Sequence, residues 1–347
     1  MHSIPMNKEE KIAQFDPNGP GQKDSNLFGL PFDADESDLV ILPVPWEVTV
    51  SYRRGTAHGP EAIKDASLQV DLYDTDFPEC WKQGICMLPI DEELQRINTE
   101  LRDRAERHIH SLSEGTDENL DFEILNVINN ACEQMIRWVE EQTALLLDQG
   151  KRVGLLGGDH STPLGFMKAL SKRYPSFGIL QLDAHMDLRN AYEGFTYSHA
   201  SIMYNALLLP QVSKLVQVGI RDYCQEELDF ANSNSTRVVT FFDEDLKTEN
   251  YEGISWKYQV QKILSELPEF VYISFDIDGL DPKLCPNTGT PVAGGMEYQE
   301  AVYLLRELAR SGKKIIGFDL NEVAPGSDEW DANVGARILL KLCAFIS

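Results

Sequence analysis

The run Gly178-Ile179-Leu180-Gln181-Leu182-Asp183-Ala184-His185-Met186-Asp187 carries a short apolar strand straight into a patch of carboxylate and imidazole. In extended chain, residues i, i+2 and i+4 point the same way, so Asp183, His185 and Asp187 are predicted to converge just beyond that strand. Two other apolar runs end alike. Val153 to Leu156 leads into Gly157-Gly158-Asp159-His160-Ser161, and Val271 to Phe275 closes on Asp276-Ile277-Asp278-Gly279-Leu280-Asp281-Pro282. Carboxyl ends of strands are where open α/β sheets build their sites.

Away from these three points, short β-rich runs alternate with longer amphipathic stretches, the layout of a parallel sheet. Strands are predicted at Leu39 to Val44, Gly84 to Leu88, Val153 to Leu156, Gly178 to Leu182, Leu215 to Val218, Val238 to Phe241, Val271 to Phe275 and Ile315 to Leu320. Helices are predicted at Pro60 to Ala66, Phe122 to Asp148, Pro163 to Arg173, His199 to Leu209, Ser255 to Leu267, Tyr298 to Arg310 and Val334 to Phe345. Gly150 and Gly312 read as helix C-caps. Asp91 to Asp121, the most charged stretch, reads as a helical insertion on the surface. The fold class is α/β, with one doubly wound, mainly parallel eight-stranded sheet. Residues 1–36 form an N-terminal extension and 37–347 a single domain.

The 347 residues include 42% hydrophobic side chains, enough for a core of ordinary density. Acidic residues number 56 against 31 basic ones, a net charge of −25. That sign disfavours DNA and RNA, whose phosphates are gripped by Lys and Arg, and favours small cations and metal ions. No apolar run approaches the roughly 20 residues that cross a bilayer, so no membrane partner is expected. Met1 to Asp24 is polar and lacks the layout of a signal peptide. Cys80, Cys86, Cys132, Cys224, Cys285 and Cys343 show no C-x-x-C spacing and read as reduced thiols of a cytoplasmic protein.

Taken singly, each motif has a plain structural reading: Gly-Asp-His as a capped turn, Asp-x-Asp as a solvated loop. Together they place four carboxylates and two imidazoles, from His160, Asp183, His185, Asp187, Asp276 and Asp278, at neighbouring strand ends. Unpaired carboxylates so buried repel one another and are costly to desolvate, which calls for a compensating cation. Four negative charges balance two divalent ions, and oxygen-rich ligation without thiolate favours two Mn²⁺ per subunit, with Ni²⁺ or Co²⁺ as alternatives.

These three motifs, G-G-D-H, D-A-H-x-D and S-x-D-x-D-x-x-D-P, make the chain resemble the ureohydrolases, which include arginase, agmatinase, guanidinobutyrase, proclavaminate amidinohydrolase and formiminoglutamase. The resemblance runs from about Val40 to the C-terminus and implies an arginase-like three-layer α/β/α fold. It implies one ion on His160, Asp183, Asp187 and Asp276, and the other among Asp183, His185, Asp276 and Asp278. It further implies attack of activated water on a guanidinium carbon, giving urea and an amine, with Asp187 orienting the water. His199, in Tyr197-Ser198-His199-Ala200, matches the pocket histidine that passes a proton to the leaving amine, a task suited to a group that titrates near neutrality. Glu322, in Phe318-Asp319-Leu320-Asn321-Glu322, matches the carboxylate that pairs with the guanidinium. Asp159 and Asp281 read as turn-forming groups, and His58, His108 and His110 as surface residues.

Arg189 stands where arginases carry an Asn for the amino-acid end of arginine, and Thr196-Tyr197-Ser198-His199 replaces their Ser-Gly-Asn-x-His segment. Agmatine, a small cationic guanidino compound, is therefore the leading substrate, with 4-guanidinobutyrate, arginine or guanidine as alternatives. Arg189 either faces the pocket as a substrate-binding residue or pairs with Glu193 one helical turn away. A metal-dependent deacetylase of the same fold is disfavoured because no His-His pair occurs. A non-catalytic metal-binding scaffold is disfavoured because no ligand is missing. The resemblance implies a homo-oligomer, trimer or hexamer.

Overall fold

The computed structural model describes residues 6–115 and 122–346. Among them, β1 (Leu39–Val44), β2 (Ile85–Met87), β3 (Arg152–Gly157), β4 (Phe177–Leu182), β5 (Val212–Ile220), β6 (Val238–Phe242), β7 (Phe270–Asp276) and β8 (Lys314–Asn321) form one sheet. Its order is β2-β1-β3-β8-β7-β4-β5-β6, and every neighbouring pair is parallel. Each strand falls within one residue of its expected limits except β5, which runs longer at both ends.

Strand side chains alternate between two apolar layers, as a period of two demands. Leu39, Ile41, Leu180 and Leu182 pack with Ile63, Ile263, Leu305 and Leu339 on one side. Val40, Leu42, Leu155 and Ile179 pack with Leu101, Ile128, Phe166 and Met203 on the other. With helices on both faces, the strands are buried along their length and the architecture is three-layer α/β/α.

The helices Gly59–Ser67, Phe122–Asp148, Leu164–Ser171, Trp256–Glu266 and Tyr298–Arg310 lie where expected, and the last, Trp330–Phe345, starts a turn early. The stretch from His199 splits into a 3₁₀ turn and the helix Ile202–Leu207. Three short polar helices, Lys8–Gln14, Gln225–Ser233 and Asp243–Tyr251, are additional. Leu27, Phe28, Leu30 and Phe32 of the N-terminal stretch are buried in the same core as β1. The six cysteines are free thiols, five of them buried.

The expected insertion is a helix over Glu92–Glu114, capped by the Asp91 carboxylate on the Leu94 amide at 2.8 Å; residues 116–121 lie outside the described residues. It is more than a surface feature. Leu94, Leu101 and Ala105 enter the core, while Asn98, Arg102 and His108 are buried with them. His108 is thus corrected from a surface residue to one 4% exposed, its ring edge-on to Phe195 and its Nε2 3.0 Å from the Glu193 carbonyl. His58 and His110 are exposed.

Candidate metal centre and its cleft

An all-parallel sheet brings every strand's carboxyl end to one edge, and β3, β8, β7 and β4 are consecutive neighbours. The loops after these four strands therefore meet. His160 Nδ1 lies 3.0 Å from Asp183 Oδ2, 3.0 Å from Asp187 Oδ2 and 3.3 Å from Asp276 Oδ2. His185 Nδ1 lies 3.0 Å from Asp278 Oδ2 and 3.6 Å from Asp183 Oδ1. All six expected metal residues are brought together, with Asp183 common to two groupings whose donor atoms fall within 4.8 Å of one another.

The convergence is reached differently from the expected extended geometry. Asp187 sits in the left-handed region, φ 55°, a conformation that Asp tolerates better than most residues. Asp278 belongs to a 3₁₀ turn over Ile277–Gly279, which the Asp276 carboxylate caps by accepting the Asp278 amide at 2.8 Å. Outer contacts hold the set in place. His160 Nε2 meets Ser274 Oγ at 2.9 Å, and Ser274 donates to Asp319 at 3.1 Å. The Ala184 amide donates to Asp278 at 2.9 Å and the His185 amide to Asp183 at 2.7 Å.

The electrostatics explain why a cation fits. Burial, then the Asp183 charge, lifts the Asp187 carboxyl to about 7; burial and the charges of Asp278 and Asp183 lift Asp276 well above the carboxylate range. Asp183, despite burial, is held low by His160 and His185. Both imidazoles, despite burial, are raised by the surrounding carboxylates. By itself the cluster softens its repulsion by holding protons, which a metal displaces on binding. Buried His160 Nδ1 and Asp278 Oδ2 face their 3.0 Å neighbours without the angles of a hydrogen bond, an arrangement that suits metal-donor atoms. The residues present fit a pair of divalent ions.

A cleft of about 300 Å³ opens over this cluster, lined by His185, Asp187, Arg189, Tyr192, His199 and Asp222 among others, with Tyr223 and Thr290 on its wall. His160, Asp183, Asp276, Asp278 and Glu322 lie deeper, each no more than 3% exposed. Glu322 adopts φ 64° and accepts the His160 amide at 2.9 Å, so the guanidinium-binding candidate also braces a ligand candidate. Burial and the Asp159 charge raise its carboxyl well above the usual range. His199 Nε2 is 3.3 Å from Ser51 Oγ. Burial, reinforced by the neighbouring His185, presses its imidazole down to about 3. Asp159 and Asp281 accept main-chain amides of Ser161 and Lys283, each at 3.0 Å, as turn formers do.

Arg189 does face the cleft, but its ion-pair partner is Glu227, with Nε 3.7 Å from Oε2, rather than Glu193. Its guanidinium lies over the Tyr192 ring at 4.6 Å. Glu227 is 3% exposed and accepts the amides of Leu188 at 3.1 Å and Cys224 at 3.0 Å. Glu227, Ser51, Asp222 and Tyr223 were not foreseen. Asp222 follows β5 and was findable by the strand-end rule. Ser51 and Glu227 carry no local signal.

A fold with this strand order and this site defines a class: a family model described as the arginase family matches residues 37–344, and the chain belongs to that family. It is 32% identical to the N(1)-aminopropylagmatine ureohydrolase of Thermus thermophilus, over 84% of each chain. It is 29% identical to the agmatinase of Bacillus subtilis, over 89% of this chain and 91% of that protein. The solved proclavaminate amidino hydrolase from Streptomyces clavuligerus shares the fold with a TM-score of 0.71 at 23% identity, covering 95% of this chain and 99% of that chain.

Proposed function

We propose that the protein hydrolyses a small cationic guanidino compound to urea and an amine, with agmatine or an aminopropyl derivative of it as substrate. One observation carries this reading: two groups of acid and imidazole donors share Asp183 at the floor of a cleft. Two Mn²⁺, or Ni²⁺ or Co²⁺, held by His160, Asp183, His185, Asp187, Asp276 and Asp278 would supply Lewis acidity and an activated water.

The chain's own groups do the rest. Glu322 offers a carboxylate matched to the paired N–H donors of a guanidinium, fixing its carbon over the centre. Asp187, at the boundary of cluster and cleft, accepts a hydrogen bond from the attacking water and so orients it. His199, on the cleft wall, takes a proton and passes it to the departing amine nitrogen as the C–N bond breaks. Glu227 offsets the Arg189 charge, which leaves Asp222 at the mouth to favour an ammonium tail. Residues 37–347 are read as one catalytic domain, in a cytoplasmic trimer or hexamer.

The test is a urea-release screen across agmatine, N(1)-aminopropylagmatine, arginine, 4-guanidinobutyrate, 3-guanidinopropionate and guanidine, with Mn²⁺ or Ni²⁺ supplied. The reading expects the highest kcat/KM on one of the first two. Preference for 4-guanidinobutyrate would reassign Arg189 as the reader of a carboxylate, and no urea from any of them would reject the hydrolase.

A further inference from the structure

Gln181 on β4 and Gln217 on β5 are register partners, and Thr240 on β6 is the register partner of Gln217. The three form a polar row across three strands, and both glutamines are wholly buried. The interior of a parallel sheet is ordinarily Val, Ile and Leu, and a buried primary amide is costly unless its bonds are made. Here they are made in one direction only. Gln217 Nε2 lies 2.8 Å from the Met186 carbonyl, a group that can only accept, so the amide nitrogen must face it. The same nitrogen donates to Gln181 Oε1 at 2.7 Å, while Gln217 Oε1 accepts the Thr240 hydroxyl at 2.9 Å. With its oxygen so engaged, Gln181 must turn its nitrogen to Asp183 Oδ2 at 2.8 Å, and to the His185 carbonyl at 3.3 Å. Flipping either amide would set oxygen against oxygen.

We infer that this row is a positioning device for the metal pair: Gln181 pins the carboxylate common to both donor groups, and the bonds to the carbonyls of His185 and Met186 fix the loop bearing Asp183, His185 and Asp187. The inference rests on the two-metal reading above. Gln181 is wholly buried with its amide nitrogen turned to Asp183, so it acts through Asp183 and not on substrate. One of the lone pairs of Asp183 Oδ2 is spent on the amide, which holds the orientation in which the carboxylate would meet the ions.

The test compares Mn²⁺ affinity, by competition with a fluorescent chelator, and the spin-coupled signal of the Mn²⁺ pair in wild type, Gln181→Met, Gln181→Glu and Thr240→Val. Outer-sphere partners of this kind are worth roughly 10–100-fold in metal affinity. Gln181→Met should lose about that factor and the coupled signal. Gln181→Glu should lose more, and Thr240→Val less in the same direction. Should Gln181→Met fail to fold, Thr240→Val, on the edge strand, decides the matter by the same measurement. Wild-type metal affinity in the variants, with two ions bound in the wild type, overturns the row's role alone. Fewer than two ions in the wild type overturns the metal reading and the inference with it.

Discussion

Gly158 is glycine for want of room, and substituting it tests how tightly the site is built. A β-carbon at this position would lie 2.0 Å from the Trp46 carbonyl oxygen, 2.8 Å from its carbonyl carbon and 2.9 Å from its nitrogen. Carbon and oxygen in non-bonded contact prefer about 3.3 Å or more, so Gly158→Ala demands a shift of roughly 1.3 Å. Both sides of the clash are main chain, and no rotamer relieves it. Three main-chain bonds meet here: Gly158 to Val44 at 2.9 Å, Asp159 to Trp46 at 2.8 Å and Glu322 to Gly158 at 2.8 Å. Overpacking costs about 1–3 kcal/mol, and each main-chain bond lost adds about 1 kcal/mol. A total of roughly 2–5 kcal/mol, set against the unfolding entropy of a chain of 347 residues, corresponds to a fall in Tm of roughly 3–7 °C. The same shift displaces His160, so metal content should fall as well. Thermal unfolding of metal-free protein and elemental analysis after Mn²⁺ loading read the two effects. An alanine variant with wild-type Tm and full metal content would refute the reasoning.

Asp276→Ala removes an oxygen 3.3 Å from His160 Nδ1 and the cap on the Asp278 amide, so metal loading and urea release should vanish together; wild-type-like urea release by the variant would reject the assigned site. Glu322→Ala should raise KM for the guanidino substrate by at least about tenfold, the worth of one charge-assisted hydrogen bond; unchanged kinetics remove its role. Glu193 holds a buried carboxyl that burial lifts to about 7, against the pull of Arg102 and Arg189. Between the ordinary carboxylate range and that value the folded state keeps a proton the unfolded chain has lost, so this contribution to stability is present at low pH and lost as pH rises through about 7. Glu193→Gln should therefore flatten Tm against pH over that window, and parallel curves for the two proteins count against it.

The strands and the six metal candidates were legible because an apolar run that ends in carboxylate and imidazole breaks its own pattern at a definite residue. The bends at Asp187 and Asp278 were not, since positive φ and a 3₁₀ turn leave no periodic trace. The helix from Glu92 was misjudged for a physical reason. Its buried stripe mixes Leu94 and Leu101 with Asn98, Arg102 and His108, and those polar members read as surface until their partners are known. Asn98 accepts the Glu47 amide at 2.7 Å and Arg102 donates to the Val48 carbonyl at 3.1 Å, both far off in sequence. The pairing of Arg189 with Glu227 was hidden in the same way.

Strand order has a consequence for how the molecule is completed. β8, the last strand to be synthesised, sits between β3 and β7, in the middle of the sheet. Without residues 314–321, His160 hangs from the segment β2-β1-β3, while Asp183, His185, Asp187, Asp276 and Asp278 hang from β7-β4-β5-β6, and no strand joins the two. The candidate site is thus split across two strand groups that only β8 joins, like a keystone. An ion held by both His160 and Asp183, whose side chains stand 3.0 Å apart, would span that seam and favour the joined state over the open one.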